Sequence, residues 1–291
     1  MKIKIICTLG PSSFKENVIK KFKALGVDLY RINMSHTSLN ILEKKIKFLK
    51  NLRIKNICID TEGAQVRSKC EAKTFLKKGT LIKISNNKKS KYKTILSFYP
   101  KFDFNLLKKN TKINIGFNNL SLKIVKIMNT ELLKAEVISE GILETNKGVH
   151  FSNYVNLPYL TEKDKKAILI AKKNSIKYFA LSFANFSEDV SKLRDFIGER
   201  SFLISKIETK NGVLNLNSIQ KKSNAILIDR GDLSRYVKYE KIPIVQEYII
   251  KQAVKNKKQI FVATNLLESM IDNHSPTRAE SHDIHNTLIQ G

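Results

Sequence analysis

Residues 202–232 read FLISKIETKNGVLNLNSIQKKSNAILIDRGD. The runs 202–206 and 225–228 are apolar and strand-like, and the stretch between them has room for a crossover helix. A strand, a helix and a second strand within about 30 residues form the unit from which parallel sheets are built. Both strands end on chemistry: Lys206 and Glu208 close the first, while Arg230, Gly231 and Asp232 follow the second. A hard divalent cation takes one or two carboxylates and completes its shell with substrate oxygens. A lysine ammonium beside it suits an anionic reacting centre. The segment therefore predicts a site for a metal ion and a small oxyacid at the end of a parallel sheet.

The same rhythm extends in both directions. Residues 3–9, 27–32 and 56–59 read as strands, with helical spacing over 14–25 and 39–52. Strands recur at intervals of about 25 residues, as helical crossovers require. From 68 to 155 the pattern changes to short alternating runs (81–84, 111–115, 120–127 and 132–137) punctuated by Gly and Asn, which predicts an all-β insert. Strand–helix alternation returns after residue 156. Thr161 and Asp164 have the spacing of a capping box that opens a helix, and strands follow at 177–181, 202–206, 225–228 and 259–263. The expected fold is α/β: a TIM-type (β/α) barrel lacking its eighth strand and helix, with an all-β lid inserted after strand three. The expected domains are a first barrel segment with strands one to three (1–67), the lid (68–155) and a second barrel segment with strands four to seven (156–291). The stretch before Gly291 reads as a glycine-capped helix end, just where an eighth strand would begin.

In such barrels the chemistry clusters on the C-terminal ends of the strands. Here those ends carry Thr8 to Ser12, then Arg31, Asn33, Ser35 and His36, then Asp60 and Thr61. Ser182 and Phe183 follow strand four, and Lys206 with Glu208, Arg230 to Asp232, and Thr264 follow the next three. A run of polar, functional residue types at successive strand ends is the strongest signal in the residues themselves.

Composition limits the alternatives. The chain has 291 residues, 42% of them hydrophobic, and no apolar run approaches the roughly 18 residues that cross a bilayer. Three scattered cysteines give neither a disulfide framework nor a zinc site, and fit the reducing cytoplasm. The net charge of +27 comes from lysines spread through nearly every segment, with Asn and Ile abundant beside them. That spread points to codon drift and solubility rather than to a nucleic-acid or membrane partner. His274, His282 and His285 read as helix and loop surface, not as a metal cluster.

The segments ICTLGPSS (6–13), RINMSH (31–36), DTEGAQVRS (60–68), NKGV (146–149), VNLPYLTEKD (155–164), FALSF (179–183), ISKIETKNG (204–212), DRGDL (229–233) and the long run 263–291 strongly resemble pyruvate kinases, in family order. The resemblance implies glycolytic phosphoryl transfer from phosphoenolpyruvate to ADP, with Mg²⁺ (or Mn²⁺) and K⁺. It implies that Glu208 and Asp232 hold the divalent ion, and that Lys206 stabilises charge on the transferring phosphoryl group and the enolate. The Gly231 and Asp232 amides with Thr264 would receive the substrate carboxylate, Thr264 also lying near proton delivery to the enolate carbon. Arg31 would clamp the phosphate, unless it only pairs with a neighbouring acid. Asn33, Ser35, Asp60 and Thr61 would ligate K⁺, and His36, Arg67 and Lys147 would approach the nucleotide.

Several positions depart from the family pattern. A lysine, a proline and an acid are replaced by Glu62, Ala64 and Gln65, and Gln65 removes a charge beside the K⁺ site. The lid segment 116–118 lacks an expected acid. Asp229 stands where a small residue is usual, Ser234 replaces a glycine, and Asn185 replaces a basic residue. The family's C-terminal regulatory domain has no counterpart in these residues. Open barrel edges would call for a second copy or a complementing chain. Two other readings stay open: a non-catalytic relative that binds a metabolite or partner, and a metal-dependent lyase or decarboxylase working through a pyruvate enolate.

Overall fold

The structure, a computed structural model, describes residues 3–86, 94–116 and 120–291. The chain forms two compact units, Met1–Gly63 with Tyr159–Gly291, and Ala64–Pro158.

The first unit alternates strands and helices: β1 (Ile6–Thr8), α1 (Glu16–Ala24), β2 (Leu29–Asn33), α2 (Leu39–Asn51), β3 (Ile57–Asp60), α3 (Glu162–Lys173), β4 (Tyr178–Leu181), α4 (Ser187–Ile197) and β5 (Phe202–Ile207). It continues through α5 (Lys210–Leu214), α6 (Leu216–Lys222), β6 (Ala225–Asp229), α7 (Arg230–Leu233), α8 (Ile242–Lys255), β7 (Gln259–Ala263) and α9 (Arg278–Gln290). All seven strands lie in one parallel sheet in chain order. The sheet curls. Lys4 Nζ, just before β1, donates to Gln259 Oε1 at the start of β7 at 3.1 Å, although these strands stand at opposite ends of the pairing order. This is the curvature of a TIM-like barrel. Residues 230–233, which follow β6, form one helical turn, because the strand ends at Asp229.

The two faces of the sheet have different jobs. Facing outward, Ile32, Ile59, Phe179, Leu203 and Ile226 pack in one core with helix residues such as Leu42, Ile46, Ala167 and Leu193. Facing inward, Leu29, Cys58, Ala180, Ile204, Ala225 and Leu227 make a separate, smaller cluster. Three of these are Cys or Ala, because side chains converge inside a curled sheet. Strand residues alternate between faces, so each inner series continues into chemistry: Leu29 to Arg31 and Asn33, Cys58 to Asp60, Ala180 to Ser182, Ile204 to Lys206 and Glu208, Leu227 to Asp229.

The helix ends follow local signals. In α3 the Thr161 hydroxyl accepts from the Asp164 amide, and the Asp164 carboxylate accepts from the Thr161 amide, the expected capping box. Thr277 and Glu280 repeat the device at α9, where Glu280 also accepts from the Ser269 amide at 2.7 Å. The Ser269 hydroxyl and amide and the Thr277 amide hold the Glu280 carboxyl well below its usual range, at about 2. Its contribution to stability is therefore complete above the unfolded value near 4.5 and is lost as pH falls towards about 2. Glu280→Gln should lower the melting temperature at pH 7, and the gap from the unaltered protein should close as the pH of the melts is lowered through that window.

The second unit is built from strands Val66–Lys69, Thr74–Leu76, Leu81–Ser85, Ser97–Tyr99, Lys112–Ile115, Leu120–Asn129, Leu132–Ser139, Gly141–Leu143 and Gly148–Phe151. Their strand–strand ladders are antiparallel. Ile84, Ile113, Leu122, Leu133 and Val137 form its core with Phe98 and Phe104. Edge-to-face contacts among Phe98, Phe102, Phe104 and Phe151 complete it. Of the segment 116–118, expected to lie in a lid, positions 117 and 118 lie outside the described residues.

Candidate active site

The site lies on the inner face of the first unit, at the C-terminal ends of β2 to β7. Lys206 is its centre. Its Nζ stands 2.8 Å from Glu208 Oε1, 3.5 Å from Asp229 Oδ2 and 3.6 Å from Asp60 Oδ1, and donates to Ser182 Oγ at 3.2 Å. Burial disfavours the ammonium, but the carboxylates of Asp60, Glu208 and Asp229 outweigh it and hold the lysine protonated. Burial pushes the fully buried Glu208 carboxyl up, to about 8, with Lys206 pulling the other way. Glu208 Oε2 accepts the Phe183 amide at 2.5 Å, which fixes the carboxylate from behind. Phe183 reaches that position with a positive φ of 54°.

Glu208, Asp229 and Asp232 bring carboxylate oxygens within 4.8 Å of one another. Hard oxygen donors in this number fit a divalent cation. Asp229 sits at the end of β6, its Oδ1 accepting from the Thr264 hydroxyl at 2.6 Å. Burial works against its charge, yet Lys206, the Thr264 hydroxyl, Arg31 and the Asp232 amide hold it below the usual carboxylate range. Asp232 lies one turn on, with Arg235 Nε 3.4 Å from Oδ1. Thr264, a β-branched residue, adopts φ 79°, a costly conformation that persists only where its surroundings impose it. Arg230 imposes it here: Nε and Nη2 donate to the Thr264 carbonyl at 3.1 and 2.7 Å, and Nη1 pairs with Asp283 of α9 at 2.8 Å. A Cβ on Gly231 would come within 2.8 Å of Thr264 Cγ2, so only glycine lets the turn approach that side chain.

Arg31 Nε donates to Thr8 Oγ1 at 2.7 Å, and Nη1 stands 3.7 Å from Asp60 Oδ2. The neighbouring-acid pairing thus exists, while the guanidinium stays at the mouth of the same cage. The expected K⁺ ligands are drawn together in part. Asn33 and Asp60 are opposite each other in the β2–β3 register, and Asn33 Oδ1 accepts the Ser35 amide at 2.8 Å. Thr61 Oγ1 accepts the Ser182 amide at 3.0 Å, and its carbonyl accepts the Ser182 hydroxyl at 2.6 Å. All four residues offer oxygens, and Asp60 brings the one formal charge, shared with Lys206 and Arg31. His36 is exposed after β2. In the second unit Arg67 and Gly148 are register partners, which places Arg67 beside Lys147; Arg67 donates to the Asn146 carbonyl at 3.3 Å and Lys147 pairs with Glu144 at 3.0 Å.

The altered turn at 61–63 is rebuilt rather than lost. Glu62 is buried, accepts from the Thr161 hydroxyl at 2.9 Å and pairs with Lys163 at 3.0 Å. Gly63 has φ 67°, and a Cβ there would lie 2.7 Å from the Ser182 carbonyl oxygen. Gly63→Ala combines an unfavourable φ with a clash against backbone, and should cost about 2–4 kcal/mol in urea unfolding. Because it displaces Ser182, it should also disturb Lys206.

Sequence comparison gives this geometry its context. The family description "Pyruvate kinase, barrel domain" matches residues 1–291. The chain belongs to the pyruvate kinase family. It is 35% identical to the pyruvate kinase of Thermotoga maritima over 99% of the chain and 64% of that protein. It is 31% identical to that of Clostridium perfringens over 100% of the chain and 64% of the relative. With pyruvate kinase isozyme G, chloroplastic, of Nicotiana tabacum the values are 32%, 100% and 53%. The chain thus spans less than two thirds of the length of these relatives. Among the described residues no helix is long and apolar enough to cross a membrane.

Two members of the cage carry no role in the sequence reading. Ser182 reads there as a strand end only, and Asp229 reads as a departure from the pyruvate kinase pattern. Alternation from Ala225 and Leu227 is the available signal for Asp229. It puts position 229 on the inner face, where a charged residue must meet the site.

Proposed function

We propose that this chain carries the phosphoryl-transfer site of a pyruvate kinase, moving a phosphoryl group from phosphoenolpyruvate to ADP to give pyruvate and ATP. The observation that carries this reading is the Lys206 ammonium held within 2.8–3.6 Å of Glu208, Asp229 and Asp60, with Asp232 beside them at the strand ends. Lys206 is fixed and protonated before substrate arrives, so it needs no reorganisation to stabilise charge on the phosphoryl and enolate oxygens. Arg31 would bind the phosphate from the β2 side. Thr264, locked by Arg230, would orient the substrate carboxylate and stand near the enolate carbon that takes a proton. Glu208 and Asp232 would hold Mg²⁺ or Mn²⁺, which when bound neutralises phosphate oxygens. Asn33, Ser35, Asp60 and Thr61 would hold K⁺. His36, Arg67 and Lys147 are proposed nucleotide contacts, the last two from Ala64–Pro158, which we read as the family's β-domain lid. The outer edges of β1 and β7 would take a second copy or a complementing chain.

The test is pyruvate formation from phosphoenolpyruvate with ADP and Mg²⁺, with and without K⁺, using Lys206→Met as control. ADP-dependent turnover lost in the control supports the reading. Turnover of an oxo-acid without ADP would replace it with enolate lyase chemistry, and phosphoenolpyruvate binding without turnover would replace it with a non-catalytic relative.

A further inference from the structure

We propose that Asp229 is a third carboxylate ligand of the divalent cation. The inference rests on the metal site proposed above and adds a residue that departs from the family pattern. Mg²⁺ sites that rely on one or two carboxylates complete their shell with substrate oxygens and water. Here three carboxylates converge. Glu208, Asp229 and Asp232 each bring an oxygen into a cluster no wider than 4.8 Å, and opposite ligands of an octahedral Mg²⁺ stand about 4.2 Å apart. Adjacent ligands of the same ion stand about 3 Å apart, so the three side chains would draw inward to share it.

Charge supports the same arrangement. Lys206 is the counter-ion shared by Glu208 and Asp229, and Arg235 stands 3.4 Å from Asp232, so the three carboxylates outnumber the two cations beside them. Asp60 lies across from Arg31 and is balanced there. Asp229 is also held in place for the role. Thr264 fixes Oδ1 at 2.6 Å, leaving Oδ2, 3.5 Å from Lys206, turned to the cage. Its side chain is mostly buried, 13% exposed, so water offers it limited competition. A carboxylate serving Lys206 alone would duplicate Glu208, which already stands closer at 2.8 Å.

Binding of Mn²⁺ to the full chain, measured in the absence of substrate from the electron paramagnetic resonance signal of the free ion, tests the proposal. Asp229→Asn keeps shape, Asp229→Ala removes the carboxylate entirely, and Glu208→Gln and Asp232→Asn serve as references. Circular dichroism confirms that each variant tested is folded, and either Asp229 variant suffices. A loss of tenfold or more at Asp229, comparable with the references, supports the third ligand. Affinity within twofold of the unaltered protein at Asp229, with tenfold losses at the references, overturns it and leaves the two-carboxylate site standing. Unchanged affinity in all the variants overturns both this inference and the metal site beneath it.

Discussion

Lys206→Met should reduce ADP-dependent pyruvate formation by about 10³-fold or more, since removing even one preorganised donor at a reacting oxyanion costs about 10²–10³-fold. Methionine fills similar space but carries no charge, so packing changes little and electrostatics change greatly. The carboxylates of Asp60, Glu208 and Asp229 would then share a buried cage with no ammonium among them. Breaking a buried ion pair from one side costs about 3–5 kcal/mol, which should appear as a lower midpoint in urea unfolding of the cation-free variant. Added Mn²⁺ should restore part of it, because a ligand at 100 times its dissociation constant stabilises the folded state by about 2.7 kcal/mol. The variant should therefore gain more from the cation than the unaltered protein does. Turnover equal to that of the unaltered protein would remove Lys206 from the chemistry.

Asp164→Ala should be the most destabilising substitution away from the reacting groups, by about 3–5 kcal/mol. One buried carboxylate serves three backbone donors: the Glu62 amide at 2.8 Å, the Gly63 amide at 3.1 Å and the Thr161 amide at 3.1 Å. Each orphaned buried donor costs about 1–3 kcal/mol. The residue joins the first turn of α3 to the turn after β3 over more than a hundred residues of sequence. Asp164→Asn should lose less, since its amide oxygen can still accept while its NH₂ faces donors. Urea unfolding measures both. A change below about 1 kcal/mol in the alanine variant would mean that the turn finds other partners.

Much of this arrangement is legible in the sequence. The parallel strands are visible as short, mainly apolar runs, and the central ones, β3 to β6, are almost wholly buried. The cage members Lys206, Glu208, Arg31 and Asp60 are visible because they end those runs. Short strands such as Val66–Lys69 and Gly148–Phe151 are not, because they have only four residues each and mix polar with apolar positions. The roles of Ser182 and Asp164 depend on partners far away in sequence, which no local pattern encodes. Glu62 reads as erosion, yet its replacement charge is met by Lys163, a pairing across a hundred residues. Asp229 escapes for a different reason: a family pattern draws attention to what is lost there, whereas strand alternation shows where the new carboxylate points.

The cluster of small residues inside the curled sheet also supplies a built-in reporter. Cys58 is wholly enclosed, two residues before Asp60 on the same face, and burial pushes its thiol pKa far up. Alkylating reagents attack thiolates they can reach, so Cys58 becomes modifiable only when the sheet interior opens. Cys7 and Cys70, both partly accessible, provide the fast reference in the same sample. The labelling clock at Cys58 thus times the breathing of the layer directly beneath the lysine cage, with no probe introduced.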